Sequence, residues 1–286
     1  MLSKIIAGTM NWGAWDKKLT TSEMASLIVV CLENKITTFD HADIYGSYTT
    51  EAEFGAAFSQ SKINRDSIQI ITKCGIRHIS ENRNHRIKHY DYSKDYIIWC
   101  AENSLQNLGT DYLDVLLLHR PSPLMHPDEI AEAVMQLKRQ GKIRDFGVSN
   151  FTPSQTDLIR QRVQVDYNQI QFSATHFTAM LDGTLDHMQM NNIRPMAWNP
   201  LGCVFRADTQ QVQRLKKLLA ELTTKYECGD DTILLSWTLR HPANIIPVAG
   251  TANVARIQQL MKATELELEL EDWFAIWIAS MGEKVP

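Results

Sequence analysis

Eight short apolar runs, rich in β-branched residues and separated by stretches of helical periodicity, restrict the fold of this chain more than any other feature. They fall at residues 5–7, 36–39, 68–72, 113–118, 143–148, 165–170, 193–197 and 245–248. Between them, apolar residues recur at helical spacing over 22–33, 95–108, 128–138 and 212–222. Gly109 and Gly141 sit where C-terminal caps belong, and Thr152-Pro153 reads as an N-cap followed by proline at the first helical position. Strand alternating with helix over 286 residues predicts an α/β fold of the (β/α)8 TIM-barrel type, whose usual length is roughly 250 residues. A doubly wound sheet would carry GxGxxG at its first strand-to-helix turn. Here that turn reads AGTMNWG, residues 7–13, and the motif is absent from the chain. No Pro-, Gly- or Ser-rich tract divides the sequence, so one domain over 1–286 is expected.

Composition removes several function classes. A formal net charge of -4 gives no broad electrostatic footprint for nucleic acid or an anionic membrane. The five cysteines, Cys31, Cys74, Cys100, Cys203 and Cys228, are odd in number and contain no CxxC pair, which argues against a disulfide framework or zinc ribbon and for a reducing cytoplasm. The chain opens with no basic-then-apolar leader, and no apolar run reaches the roughly 20 residues of a bilayer span. A soluble, unexported protein is expected.

In a barrel of this kind, chemistry gathers where strands end and loops begin. The second run ends at Asp40 and delivers Tyr45 on the following loop. The third ends at Lys73, the fourth at His119, and the fifth at Ser149-Asn150. Later runs add Gln169, then Trp198-Asn199, then Gly250-Thr251. An acid, a phenol, an ammonium and an imidazole on one rim suit carbonyl reduction. Asp40 would hold Lys73, Lys73 would lower the pKa of Tyr45, and His119 would donate to the substrate oxygen while Tyr45 supplies the proton.

These residues lie in FDHADIYG, ITKCG, TDYLDVLLLHRP, GKIRDFGVSNF, NQIQFS, AWNPLG and IIPVAGT, an ordered set that resembles the aldo-keto reductases over nearly the whole chain. The resemblance implies a catalytic tetrad of Asp40, Tyr45, Lys73 and His119, and a nicotinamide cofactor bound without a Rossmann domain. It places Ser149, Asn150 and Gln169 on the carboxamide, Trp198 against the nicotinamide ring, and Asn199, Leu201 and Gly202 around the pyrophosphate. Near Gly250 and Thr251, where a basic residue often follows, this chain has Ala252 and Asn253. Arg256 remains for a 2'-phosphate, and Gln259 falls where an acidic residue often meets the adenine. NADPH is therefore expected over NADH, with a small-molecule carbonyl as substrate and no bound metal.

Substrate selectivity and oligomeric state are not written in these motifs. Met10, Trp12, Trp15 and Tyr48 are expected pocket walls beside Tyr45 and His119, with Trp12 foremost. The basic stretch GIRHISENRNHRIKHYD, residues 75–91, reads as a solvated loop or as a lid that attracts acidic substrates. His41 and Asp43 are expected to support the Tyr45 loop, and Cys203 to be a small packed thiol. The run at 265–270 is expected to lead into a last helix, with Glu271 and Asp272 in its first turn. Two other functions use the same residues. One is a cofactor-sensing regulatory subunit with little turnover. The other is a metal-dependent barrel hydrolase built on His41, Asp43 and His119.

Overall fold

The structure, a computed structural model, describes residues 1–285. Its strands are β1 (Ile6–Gly8), β2 (Thr38–Asp40), β3 (Gln69–Cys74), β4 (Ile76–Arg77), β5 (His89–Tyr90), β6 (Leu113–Leu118), β7 (Ile143–Ser149), β8 (Tyr167–Gln171), β9 (Arg194–Trp198) and β10 (Ile246–Ala249). Eight of them close a parallel barrel in the order β1-β2-β3-β6-β7-β8-β9-β10, and β10 pairs back to β1 through Ile6↔Val248 and Ala7↔Ala249. The helices that cover it are α1 (Thr21–Glu33), α2 (Thr50–Ser61), α3 (Lys94–Leu108), α4 (Pro127–Arg139), α5 (Pro153–Arg160), α6 (Thr184–Met190), α7 (Gln210–Tyr226), α8 (Asp230–Leu239), α9 (Val254–Leu260) and α10 (Leu270–Met281). No helix among the described residues is long and apolar enough to cross a membrane.

The period of two along each strand sorts the apolar residues into two cores. Ile6, Ile71, Val115, Leu117, Met196 and Ile246 fill the barrel interior. Their neighbours Ala7, Ile70, Leu116, Leu118 and Ala197 face the helix layer. Continuing the inward phase by two residues from Ile71, Leu117 and Met196 reaches Lys73, His119 and Trp198. The strands thus carry an apolar plug below and a polar layer at their C-terminal ends.

Thr152 closes a full capping box with Gln155 ahead of α5, and Gly109 caps α3 at φ 64°. The expected strand at 165–170 begins later, at Tyr167. Asp166 takes over the start of the ladder, its N–H donating to Phe146 O at 2.7 Å while its Oδ2 accepts from Phe146 N–H at 3.1 Å. Helix α8 gave no helical stripe in the sequence because Thr232 through Thr238 are all buried, which leaves no polar face to set the period. The basic stretch is no simple loop. Strands β4 and β5 pair within it as an antiparallel hairpin.

Candidate active site

Lys73 is 0% exposed, and its ammonium spends all three donors inside the protein. It donates to Asp40 Oδ2 at 2.8 Å, to His41 O at 2.7 Å and to Tyr45 OH at 3.0 Å. Strand register brings these groups together, because Asp40 is the partner of Ile71, two residues before Lys73 on the same inward face. The loop after β2 then stays tied to β3: His41 N–H donates to Ile71 O at 2.8 Å and Asp43 N–H to Lys73 O at 3.0 Å. His41 also meets Thr9 Oγ1 through Nδ1 at 2.9 Å and packs edge-on against Phe54. Its part is to fix the path of the loop that delivers Tyr45. His119, one residue beyond β6, brings its ring edge-on to Tyr45 with centroids 6.2 Å apart.

Burial decides the protonation states. It raises the phenol pKa of Tyr45, and the charge of Lys73 only opposes that shift in part. The expectation that Lys73 would pull this pKa below its ordinary value is therefore corrected. Desolvation outweighs the ammonium, and Tyr45 holds its proton at neutral pH. For Lys73, burial favours the neutral amine, but the adjacent Asp40 and Tyr45 outweigh it and the pKa is raised, so the group stays charged. Burial drives the pKa of His119 well down, and the positive charges of Lys73, Arg120 and Lys88 push it the same way. The imidazole is neutral, and its buried Nδ1 has no hydrogen-bond partner. His41 is neutral too, its pKa lowered to about 3 by burial and by Lys73.

Beside this cluster runs a second chain of contacts. Gln169 Nε2 donates to Asp40 Oδ1 at 2.8 Å, while its amide oxygen has no hydrogen bond among the described residues. Ser149 Oγ donates to Gln169 O at 3.0 Å and accepts from Asn150 Nδ2 at 2.8 Å. Trp198 Nε1 donates to Asn150 Oδ1 at 2.9 Å, which fixes the plane of the indole. After β9 the chain turns through Asn199 at φ 54° and Gly202 at φ 58°. A Cβ at Gly202 would overlap the side chain of Thr175, so only glycine lets the backbone lie this close. Arg206 braces that turn, donating to Asn199 Oδ1 at 2.5 Å and Gly202 O at 2.7 Å. Beyond β10, Gly250 is exposed with open space around it, and Asn253 caps α9 by accepting from Arg256 N–H at 3.1 Å. Arg256 and Gln259 are exposed on that helix, and Arg256 forms no ion pair among the described residues.

The Aldo/keto reductase family model matches residues 4–279. The chain belongs to the aldo-keto reductase family. It is thereby an oxidoreductase of the kind that uses a nicotinamide cofactor. It is 41% identical to the uncharacterized oxidoreductase YcsN of Bacillus subtilis, over 99% of this chain and 96% of that protein. It is 36% identical to a 6-dehydroglucose reductase of Agrobacterium fabrum, over 99% of this chain and 96% of that one. Among solved structures, an aldo/keto reductase from Klebsiella pneumoniae in complex with NADP and acetate superposes with a TM-score of 0.81 at 23% identity, over 96% of this chain and 90% of that chain.

Within this aldo-keto reductase the expected pocket walls divide. Trp12 is 0% exposed, packed against Phe39 and Phe54, with its Nε1 donating to Thr251 O at 3.3 Å. It is a core residue and not a wall. Trp15, 42% exposed, lies closer to the cluster: its ring is 5.9 Å from that of Tyr45 and 6.0 Å from that of His78. Met10 remains exposed on the loop after β1. Tyr48 faces the hairpin, its OH accepting from His78 N–H at 2.7 Å. Leu201 packs partly buried on the core. His41, Asp43 and His119 form no metal-holding group, and none of three or more such side chains exists among the described residues. His78, Arg120 and Arg206 escaped the sequence reading. For Arg206 a signal was present, a lone cation four residues beyond Gly202.

Proposed function

We propose that this protein reduces an aldehyde or ketone to the alcohol with NADPH, Tyr45 giving the proton to the carbonyl oxygen. The observation that carries the reading is the single buried ammonium of Lys73 bonded at once to Asp40, His41 O and Tyr45 OH. Asp40 keeps Lys73 charged and fixed. Lys73 in turn orients the phenol and steadies the negative charge left on Tyr45 when its proton departs. Neutral His119 donates a second hydrogen bond to the carbonyl oxygen as charge grows there.

The cofactor, when bound, supplies the hydride. Ser149, Asn150 and the free amide oxygen of Gln169 suit its carboxamide, and the indole of Trp198, held by Asn150, offers a flat face for the ring. Asn199, Leu201 and Gly202, braced by Arg206, border the pyrophosphate. Gly250 and Thr251 border the adenosine, with Arg256 on the 2'-phosphate and Gln259 beside the adenine. The fit rests on the Gln169 amide oxygen, which has no hydrogen bond among the described residues, and on the open backbone at Gly250. Met10 and Trp15 wall the substrate beside Tyr45 and His119. The relation to a 6-dehydroglucose reductase supports carbonyl reduction, and five free cysteines suit the cytoplasm.

The test is Tyr45→Phe. NADPH oxidation with a panel of aldehydes and ketones is expected to slow by about 10²–10⁴-fold. Quenching of tryptophan fluorescence by NADPH should persist, and should be tighter than with NADH. Loss of turnover and cofactor binding together would overturn the role given to the phenol.

A further inference from the structure

We propose that Arg120 is an anion anchor at the mouth of the site, so that the preferred substrates are carbonyl compounds carrying a carboxylate or phosphate group. The inference rests on the reductase reading above and names the substrate class for that same site.

Arg120 directly follows His119, and its backbone is clamped. Tyr92 OH donates to Arg120 O at 2.5 Å and accepts from Arg120 N–H at 3.1 Å. Tyr92 can reach it because Gly75, at φ 101°, has no side chain, and a Cβ there would overlap the Tyr92 ring. The main chain is thus held while the side chain is left unspent. The guanidinium makes no hydrogen bond or ion pair among the described residues, and it lies over the Trp198 ring, 5.6 Å from the centroid. That distance is near the outer limit of a cation–π contact. Arg120 is half-buried as a residue, and none of its five guanidinium donors is spent on another group among the described residues.

The surroundings explain why it is free. Of the arginines of the basic hairpin, Arg77 pairs with Asp91 at 2.6 Å and covers the Tyr96 ring, while Arg83 is held over the rings of Tyr48 and Trp99 without an ion pair among the described residues. Arg120 and Lys88 are both unpaired among the described residues, and both act electrostatically on His119. Arg120 acts on Tyr45 as well. The carboxylate of the cluster, Asp40, is committed to Lys73 and Gln169. A chain of net charge -4 therefore keeps a positive mouth at its site. A planar fork of donors beside the reacting groups matches an oxyanion in charge and geometry, and such a field raises the encounter rate with anions.

The experiment compares kcat/KM within matched pairs: succinic semialdehyde against butyraldehyde, and glyceraldehyde 3-phosphate against glyceraldehyde. The charged member of one or both pairs should be favoured by about tenfold or more, as one charge-assisted contact allows. The two pairs distinguish carboxylate from phosphate. In Arg120→Gln the preference should fall toward one, chiefly through KM of the charged member, and Arg120→Lys should restore part of it. The preference in the wild type should also weaken with added salt. Equal kcat/KM within both pairs would overturn the anchor while leaving the reductase standing. So would a preference that survives Arg120→Gln. A wild type that binds NADPH yet reduces neither member of either pair, nor any carbonyl of the wider panel, would bring down the reductase reading and the anchor with it.

Discussion

Two buried ionic clusters flank strand β3, one at each end, and they are built on opposite rules. Near its start, Asp114 Oδ2 accepts from Arg65 at 2.7 Å and from Ile70 N–H at 2.9 Å, while Oδ1 accepts from Arg144 at 3.3 Å. Arg65 places its remaining donors on Ile68 O, Tyr112 O and Thr110 Oγ1, and both arginines cover the ring of Tyr112. The polar atoms of this cluster are met. At the far end Lys73 is equally saturated, but the groups around it are not: His41 Nε2, His119 Nδ1 and Asp43 Oδ1 are buried without partners. Since an unmet buried polar group costs about 1–3 kcal/mol, the first cluster serves the fold and the second is kept at the expense of the fold. The contrast separates a bolt from a site.

The sharpest way to break the comparison is Lys73→Met. Turnover per folded molecule should fall by about 10²–10⁴-fold, with circular dichroism confirming that the barrel persists. A variant that lost stability and kept its turnover would make both clusters bolts. The converse variant is Asp114→Asn, which leaves Arg65 and Arg144 without their carboxylate. Breaking a buried pair costs about 3–5 kcal/mol, and the half-exposed Arg144 argues for the lower end, about 3 kcal/mol in a denaturant titration. Its kcat in the folded state should match the wild type. A tenfold drop there would tie the lower cluster to the chemistry.

The two clusters also differed in how far the sequence revealed them. Asp40, Tyr45, Lys73 and His119 were legible because a strand's period of two and its end fix where a side chain goes before any contact is known. The eightfold alternation placed the barrel for the same reason. What escaped depends on packing across elements. Trp12 follows a strand just as a rim residue does, yet the loop folds it under Phe39 and Phe54, a path that no local spacing encodes. Helix α8 has no polar stripe, so nothing set its period. The freedom of Arg120 depends on which side chains other elements bring beside it, and no local spacing encodes that. The pKa of Tyr45 turned on a contest between burial and a neighbouring charge, and only the degree of burial could decide it.

That contest gives the smallest effect and the most discriminating one, the pH profile of kcat for reduction. In the proposed mechanism the step needs the phenol's proton, and burial holds the pKa of Tyr45 above its ordinary value of 10.0. Turnover should therefore stay level through neutral pH and fall only as pH rises past 10. His119, lowered well below 6.5, is already neutral at pH 7, so no limb should appear near pH 6.5. A fall in rate on raising pH through that value would mean that a charged imidazole gives the proton, reversing the roles of Tyr45 and His119. The effect of Arg120 has the same sign on both groups, since its charge lowers the pKa of each. In Arg120→Gln both pKa values should rise, which moves the alkaline limb upward and brings the protonation of His119 closer to the working range. A limb that stays fixed in this variant would show that the guanidinium lies too far from the phenol to act on it, and the positive mouth would lose half of its physical basis.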